Sequence, residues 1–153
     1  MIISNTGNSS INRVINTNYG RKNEKINVAI VDDNEKIISN ICDKLSDDSE
    51  IEVVGKATNG EEAYDMIKKN NPDVVILDLI MPKMDGLSLM NKIHNDGSMI
   101  KLPFFFFLSA ISNETVIQDA FGMGAGYYML KPFEMDMIVD RIKSVSSYNR
   151  KIP

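Results

Sequence analysis

The sequence lacks the features that mark secreted, disulfide-bonded and membrane-spanning proteins. With a single cysteine, Cys42, no internal disulfide framework can form, which fits a reducing compartment. The longest continuous apolar stretch, residues 102–108, is far shorter than the roughly 20 residues that a membrane-spanning helix needs. The N-terminus also lacks the apolar core of a signal peptide. We therefore expect a cytoplasmic protein with no membrane association.

The only cysteine and the only histidine are weak candidates for chemistry. Cys42 lies at helical spacing among Ile38, Ile41 and Leu45, which favours a buried inert thiol over a metal ligand or a redox group. His94 lies in a polar stretch of a predicted helix, so we expect an exposed side chain rather than a phosphodonor or a catalytic base.

Length and composition indicate one soluble folded domain. The chain has 153 residues, of which 43% are hydrophobic and 25% charged. Residues 1–24 are rich in Asn, Ser, Thr and Gly without a sustained period, and we interpret them as a flexible N-terminal extension. Residues 1–25 carry a net charge of +3, which leaves −7 for the rest. The acidic folded part is a poor nucleic-acid binder by itself.

Strand and helix patterns alternate five times along the folded part. Strands are predicted at residues 26–32, 52–57, 73–78, 104–109 and 127–130, and helices at residues 34–47, 60–70, 86–95, 113–123 and 134–146. Such alternation is typical of an α/β fold, with a doubly wound five-stranded parallel sheet and helices on both faces.

Three local signals refine this pattern. Residues 58–61 fit a capping box in which Thr58 and Glu61 cap the second helix. The glycine-rich run at 122–126 follows a helix and precedes a strand, so it predicts helix termination rather than a phosphate-binding loop. Asp85 before Gly86 is interpreted as a turn and helix cap rather than a ligand.

Five chemically active side chains lie at the ends of four predicted strands. They are Asp32, Asp33, Asp78, Ser109 and Lys131. Taken singly, the acids can be helix caps, the serine a turn residue and the lysine a solvated cation. Because ligands of a doubly wound sheet bind beyond the carboxyl ends of its strands, five such residues together favour one shared site.

The charges of this set favour metal-dependent phosphoryl transfer. Clustered carboxylates repel one another unless a cation joins them, and Mg²⁺ is typically held by one or two carboxylates and a phosphate oxygen. We assign Asp78 as the nucleophile that accepts a phosphoryl group as an acyl phosphate. Lys131 and Mg²⁺ would neutralise the phosphoryl oxygens, and the Ser109 hydroxyl would donate to one of them. A cis bond between Lys131 and Pro132 is predicted to aim the amine over the strand ends.

These residues resemble the receiver domain of two-component response regulators. The resemblance covers about residues 25–147 and lies in VDDN at 31–34, DLIMPKMDG at 78–86, LSA at 108–110 and KPF at 131–133. It implies the flavodoxin-like (CheY-like) strand order 2-1-3-4-5.

The resemblance also implies a division of labour within the site. Asp33 and Asp78 would bind Mg²⁺ directly together with the backbone carbonyl of Ile80, while Asp32 acts through water. Tyr128 matches an aromatic switch position whose ring turns inward when Ser109 moves. The donor would be a histidine kinase or a histidine phosphotransfer protein, and phosphorylation would alter a face that binds partners or forms a homodimer.

More narrowly, DN at 33–34, LIMP at 79–82, DGL at 85–87 and KPFEM at 131–135 resemble receivers of stage 0 sporulation transcription regulators from endospore-forming bacteria. That resemblance implies a DNA-binding domain beyond this chain, with residues 148–153 starting the linker to it. DNA would then be contacted only through that domain.

Three other interpretations stay open from the residues alone. Within the same class, the second interpretation after a transcription regulator is a stand-alone phosphorelay carrier. A Mg²⁺-dependent phosphatase with an aspartyl nucleophile needs a second acid two residues after the first, where this chain has Ile80. A flavin-binding module needs a hydroxyl-rich loop after the first strand, where this chain has acids at 32 and 33.

Overall fold

A parallel sheet of five strands forms the centre of the protein. The computed structural model describes residues 24–151, with side chains described as far as Val145. The strands are β1 (Ile26–Val31), β2 (Ile51–Ala57), β3 (Val74–Leu77), β4 (Phe104–Ser109) and β5 (Tyr127–Leu130). All pair in parallel, in the order β2-β1-β3-β4-β5. The predicted fold class and strand order are confirmed.

The five helices of the described residues alternate with these strands and cover both faces of the sheet. They are α1 (Glu35–Ser46), α2 (Gly60–Asn70), α3 (Gly86–His94), α4 (Glu114–Gly122) and α5 (Met135–Lys151). One core cluster joins α1 and α5 to one face of the sheet, and a second joins α2, α3 and α4 to the other. Because successive strand residues point to opposite faces, neighbours such as Phe105 and Phe106 enter different clusters while both are buried.

Side-chain caps explain why several helices start where they do. Asn34 accepts hydrogen bonds from the backbone N–H groups of Lys36 and Ile37 at 2.9 and 3.2 Å, which starts α1. The predicted capping box of Thr58 and Glu61 is wrong by one residue. Asn59 is the N-cap of α2 and accepts from the N–H of Glu62 at 3.0 Å, because an asparagine side chain at this position reaches the third helical N–H.

The glycine-rich run after α4 ends that helix, as predicted. Gly124 has a φ of 116° and packs so closely against His94 that an added Cβ would overlap the imidazole ring. His94 is therefore half-buried, and its ring packs edge-to-face with that of Phe105, with 5.5 Å between the ring centres. The expectation of an exposed histidine was wrong because the missing side chain of Gly124 leaves room for the ring.

The ends of the chain differ from expectation in one respect. Helix α5 continues to Lys151, past the predicted end at residue 146. The predicted N-terminal extension lies outside the described residues except for Glu24. The boundary between this extension and the domain, and the start of a linker at residue 148, stay predictions. No helix among the described residues is long and apolar enough to cross a membrane.

The outer edge of the sheet at β2 is irregular. The pairing of β1 with β2 shifts register between Val28 and Ala29, so that Val54 has no partner on β1. The side-chain amide of Asn70 donates to the backbone carbonyl of Val54 at 2.9 Å. Glu52 and Lys56 are both exposed on this strand.

Candidate functional site

The backbone ladder carries four strand ends to one edge of the sheet. The last pairs of β1 with β3, and of β4 with β5, are Val31 with Leu77 and Ser109 with Leu130. The ladder continues beyond the strands, because the N–H of Asp78 donates to Val31 and that of Lys131 donates to Ser109, at 2.9 and 2.8 Å. The acids after β1 and β3 therefore become neighbours.

Asp32, Asp33 and Asp78 form one acidic cluster. One carboxylate oxygen from each lies within 4.8 Å of the others. Asp32 and Asp78 are buried, with 3% and 8% of their surface exposed, whereas Asp33 is exposed. The cluster thus has two buried acids and one that faces solvent.

Lys131 is the cation of the site. Its Nζ lies 2.9 Å from Oδ2 of Asp32 and 3.4 Å from Oδ2 of Asp78. The peptide bond between Lys131 and Pro132 is cis, as predicted. Burial lowers the pKa of Lys131, but hydrogen bonds and charges from the two acids outweigh burial and hold the pKa above its ordinary value. The amine is therefore a stable ammonium at neutral pH.

Asp78 has the opposite kind of environment. Burial raises its pKa above the ordinary carboxyl value, and the charge of Asp32 raises it further. The Lys131 ammonium and the N–H of Ile80, which lies 3.4 Å from Oδ1 of Asp78, offset only part of this effect. Asp78 is thus an under-stabilised carboxylate, which a further cation would stabilise.

The acceptor loop, residues 79–85, follows Asp78 and is held tightly at both ends. The N–H of Gly86 donates to the carbonyl of Leu79 at 2.8 Å. A Cβ on Gly86 would lie 2.5 Å from the backbone oxygen of Asp78 and 2.9 Å from the ring of Phe107. Only glycine allows this close approach, so Gly86 helps to place Asp78.

Asp85, at the end of the acceptor loop, caps α3. Its Oδ1 accepts from the N–H of Ser88 at 2.8 Å. The prediction that Asp85 caps this helix is therefore confirmed. Cys42 is also buried as predicted, on the core-facing side of α1, and this burial raises the pKa of its thiol.

Ser109 and Tyr128 meet through the backbone of Ile111. The Ser109 Oγ accepts from the N–H of Ile111 at 3.1 Å, and the Tyr128 hydroxyl donates to the carbonyl of Ile111 at 2.8 Å. Ser109 is 1% exposed, and the Tyr128 ring is half-buried and stacked on Phe107 with 6.2 Å between ring centres. Ile111 is not predictable from its side chain, because a backbone link has no side-chain signature. Its spacing of two residues from Ser109 is the only available signal.

The donor set of the cluster fits a hard divalent cation. Three carboxylates face one ammonium, so the site has an excess of negative charge. Carboxylate oxygens are the ligands that Mg²⁺ prefers, and one exposed acid leaves room for water in its coordination shell. The residues present therefore suit Mg²⁺.

Comparisons with known proteins agree with this geometry. A family model described as the response regulator receiver domain matches residues 28–143. The receiver domain of the Francisella response regulator 1452 is 28% identical, with a TM-score of 0.73 over 82% of this chain and 99% of that chain. The REC domain of AraT, a response regulator from Geobacillus stearothermophilus, is 26% identical, with a TM-score of 0.70 over 82% and 95% of the two chains.

A third similar structure contains a metal. It is the CheX-CheY-BeF3-Mg²⁺ complex from Borrelia burgdorferi, whose matching chain is 29% identical, with a TM-score of 0.71 over 80% of this chain and 90% of that chain.

Proposed function

This chain belongs to the response regulator receiver domain family of two-component systems, and we propose that it accepts a phosphoryl group on Asp78 in a Mg²⁺-dependent reaction. The donor is a phosphorylated histidine of a histidine kinase or of a histidine phosphotransfer protein. The observation that carries the proposal is the placement of the Asp78 carboxylate between two further acids and the Lys131 ammonium. Its role is regulatory, since the only reactions assigned to it are its own phosphoryl transfer and dephosphorylation.

The reaction joins an Asp78 oxygen to the phosphorus of the donor. The bond between phosphorus and the imidazole nitrogen breaks, and its electron pair stays on the imidazole, so an acyl phosphate and a free histidine result. Asp33, Asp78 and the carbonyl of Ile80 would hold Mg²⁺, with Asp32 acting through water, and the bound ion would supply positive charge for the phosphoryl oxygens. Lys131 binds a phosphoryl oxygen from the other side, because its ammonium already lies 3.4 Å from Asp78.

The switch couples Ser109 to Tyr128. When the phosphoryl group arrives, the Ser109 hydroxyl donates to one of its oxygens and its acceptor bond from Ile111 is disturbed. Because the Tyr128 hydroxyl is bound to the same residue, the ring position responds. The surface of α4, β5 and α5 then changes its affinity for partners, including a second copy of the chain.

The regulated output is proposed to be transcription during sporulation, through a C-terminal DNA-binding domain. This part rests on the motifs at 33–34, 79–82, 85–87 and 131–135, which resemble those of sporulation regulators. A stand-alone phosphorelay carrier is the alternative, and the gene sequence downstream of Pro153 distinguishes the two.

Incubation with acetyl phosphate and Mg²⁺, followed by intact mass measurement, tests the phosphoacceptor role. The wild type is expected to gain one phosphoryl group, and Asp78→Asn none. Asp85→Asn is the matched control, because it lies in the same loop and an asparagine still caps α3. The absence of an adduct on the wild type, or an undiminished adduct on Asp78→Asn, contradicts the proposal.

A further inference from the structure

The segment that follows β2 also contacts the acceptor loop. No reactive side chain is predicted at this strand end, where β2 passes into α2 through Thr58 and Asn59. Gly60, the first residue of α2, is buried against Met84 of the acceptor loop. An added Cβ on Gly60 would overlap the backbone oxygen of Met84 and lie 2.6 Å from its Cβ. The two segments are therefore in direct backbone contact.

Helix α2 is the rigid side of this contact. Asn59 is 6% exposed and caps the helix, and its carbonyl accepts from the N–H of Ala63 at 3.0 Å. Ala63 and Ile67 anchor the next two turns in the core with no exposed surface. The acceptor loop is the more yielding side, because Pro82 and Lys83 are exposed. A side chain at position 60 would therefore move the loop rather than the helix.

Met84 and Ile80 lie in the same short loop, and backbone hydrogen bonds constrain that loop. The N–H of Met84 donates to the carbonyl of Pro82 at 2.7 Å, and the Gly86 bond to Leu79 closes the loop at its base. Lys83 has a φ of 70°, a backbone conformation that residues with a side chain rarely adopt, so the loop has few alternative shapes. Because the loop is short and its ends are held, we expect a displacement of Met84 to change the position of Ile80.

We propose that Gly60 is a positioning residue for the metal site: its missing side chain lets the acceptor loop lie against α2, and this contact sets the position of the Ile80 carbonyl. The inference rests on the proposed function, in which that carbonyl is a Mg²⁺ ligand. Gly60 acts through Met84 and touches neither the metal nor the phosphoryl group.

Isothermal titration calorimetry measures the affinity for Mg²⁺ of Gly60→Ala and of a matched control, Gly122→Ala. Both glycines lie in helices, but a Cβ on Gly122 would have no neighbour within 4 Å. Helix propensity alone favours alanine at both positions. We expect Gly60→Ala to weaken Mg²⁺ binding about tenfold, as is typical when a residue that orients a ligand is changed, and Gly122→Ala to bind like the wild type. Phosphorylation by acetyl phosphate should fall at low Mg²⁺ and recover when Mg²⁺ is raised.

A merely structural role predicts a different result. Gly60→Ala would then unfold at a lower temperature in EDTA yet bind Mg²⁺ with wild-type affinity, and that affinity overturns the inference. Should Gly60→Ala fail to fold, Met84→Gly removes the Cβ and the rest of the side chain that lie against Gly60 and so loosens the same contact from the loop side. It is expected to bind Mg²⁺ more weakly than the wild type, and an unchanged affinity again overturns the inference. If the wild type neither binds Mg²⁺ nor forms an adduct, the proposed function fails first and the inference with it.

Discussion

Replacing Asp78 with asparagine is expected to stabilise the metal-free protein. Asparagine has nearly the same shape as aspartate but has no charge, so the change removes an ion from a site where burial and Asp32 disfavour it. The proposed phosphoacceptor thus lowers the stability of the fold that contains it.

The magnitude follows from three opposing effects. Repulsion between Asp78 and Asp32, whose nearest oxygens lie within 4.8 Å, is on the order of 3–4 kcal/mol at an effective dielectric constant of about 20. On the same scale, the attraction of Lys131 at 3.4 Å is about 5 kcal/mol, so the two charge effects nearly cancel. The cost of removing a buried ion from water, on the order of several kcal/mol, is then the largest contribution to the stability difference. After allowance for the Ile80 N–H, the expected gain is about 1–3 kcal/mol, or about 3–10 °C in the unfolding midpoint.

The pH dependence of this gain has a defined sign. Because the pKa of Asp78 is raised on folding, the folded protein holds this proton more tightly than the unfolded chain. The penalty is absent below the ordinary carboxyl pKa of about 3.9, grows as the pH rises toward the folded value, and is complete above it. The advantage of Asp78→Asn should therefore be largest at neutral pH and shrink in acid.

Thermal unfolding followed by circular dichroism in EDTA, at neutral and acidic pH, measures this difference. Asp65→Asn, on the exposed face of α2, is the control and should leave the midpoint nearly unchanged. A midpoint for Asp78→Asn at or below that of the wild type at neutral pH would refute the reasoning, as would a gain that does not depend on pH.

Two further predictions concern the charges of the site. Mg²⁺ at about 100 times its dissociation constant should stabilise the wild type by about 2.7 kcal/mol and Asp78→Asn far less, whereas equal shifts in the unfolding midpoint would place the metal elsewhere. Lys131→Ala should destabilise the EDTA-treated protein by about 3 kcal/mol, because it leaves two buried acids without their ammonium. The same variant should keep some phosphorylation by acetyl phosphate but lose phosphorylation-dependent dimerisation. If Lys131→Ala dimerised with beryllofluoride as strongly as the wild type does, this prediction would be wrong.

The strand ends could be predicted because a parallel sheet brings like ends together. An apolar run followed by Asp32, Asp78, Ser109 or Lys131 is a local pattern, and the ladder turns that pattern into proximity. The structure therefore brings the predicted acids and the lysine together. The start of α2 was harder, since Thr58 and Asn59 are both good caps and only the path of the chain decides between them.

Contacts made by the backbone could not be predicted. Ile111 joins Ser109 to Tyr128 through its own amide N–H and carbonyl, so any residue type except proline would serve. Gly60 and Gly124 are defined by what lies opposite them, Met84 and His94, which are distant in sequence. Such long-range approaches leave no periodic signal in the chain.

The irregular edge at β2 has a consequence for self-association. A strand from another molecule could only add to the sheet along a regular row of free carbonyl and amide groups. At β2 that row is interrupted by the bulge at Val54, by the Asn70 amide on its carbonyl, and by the charges of Glu52 and Lys56. We therefore expect this border to be a poor template for fibril growth or for strand exchange. Copies that meet in solution are expected to pair through helices or through β5, where the proposed phosphorylation signal arrives.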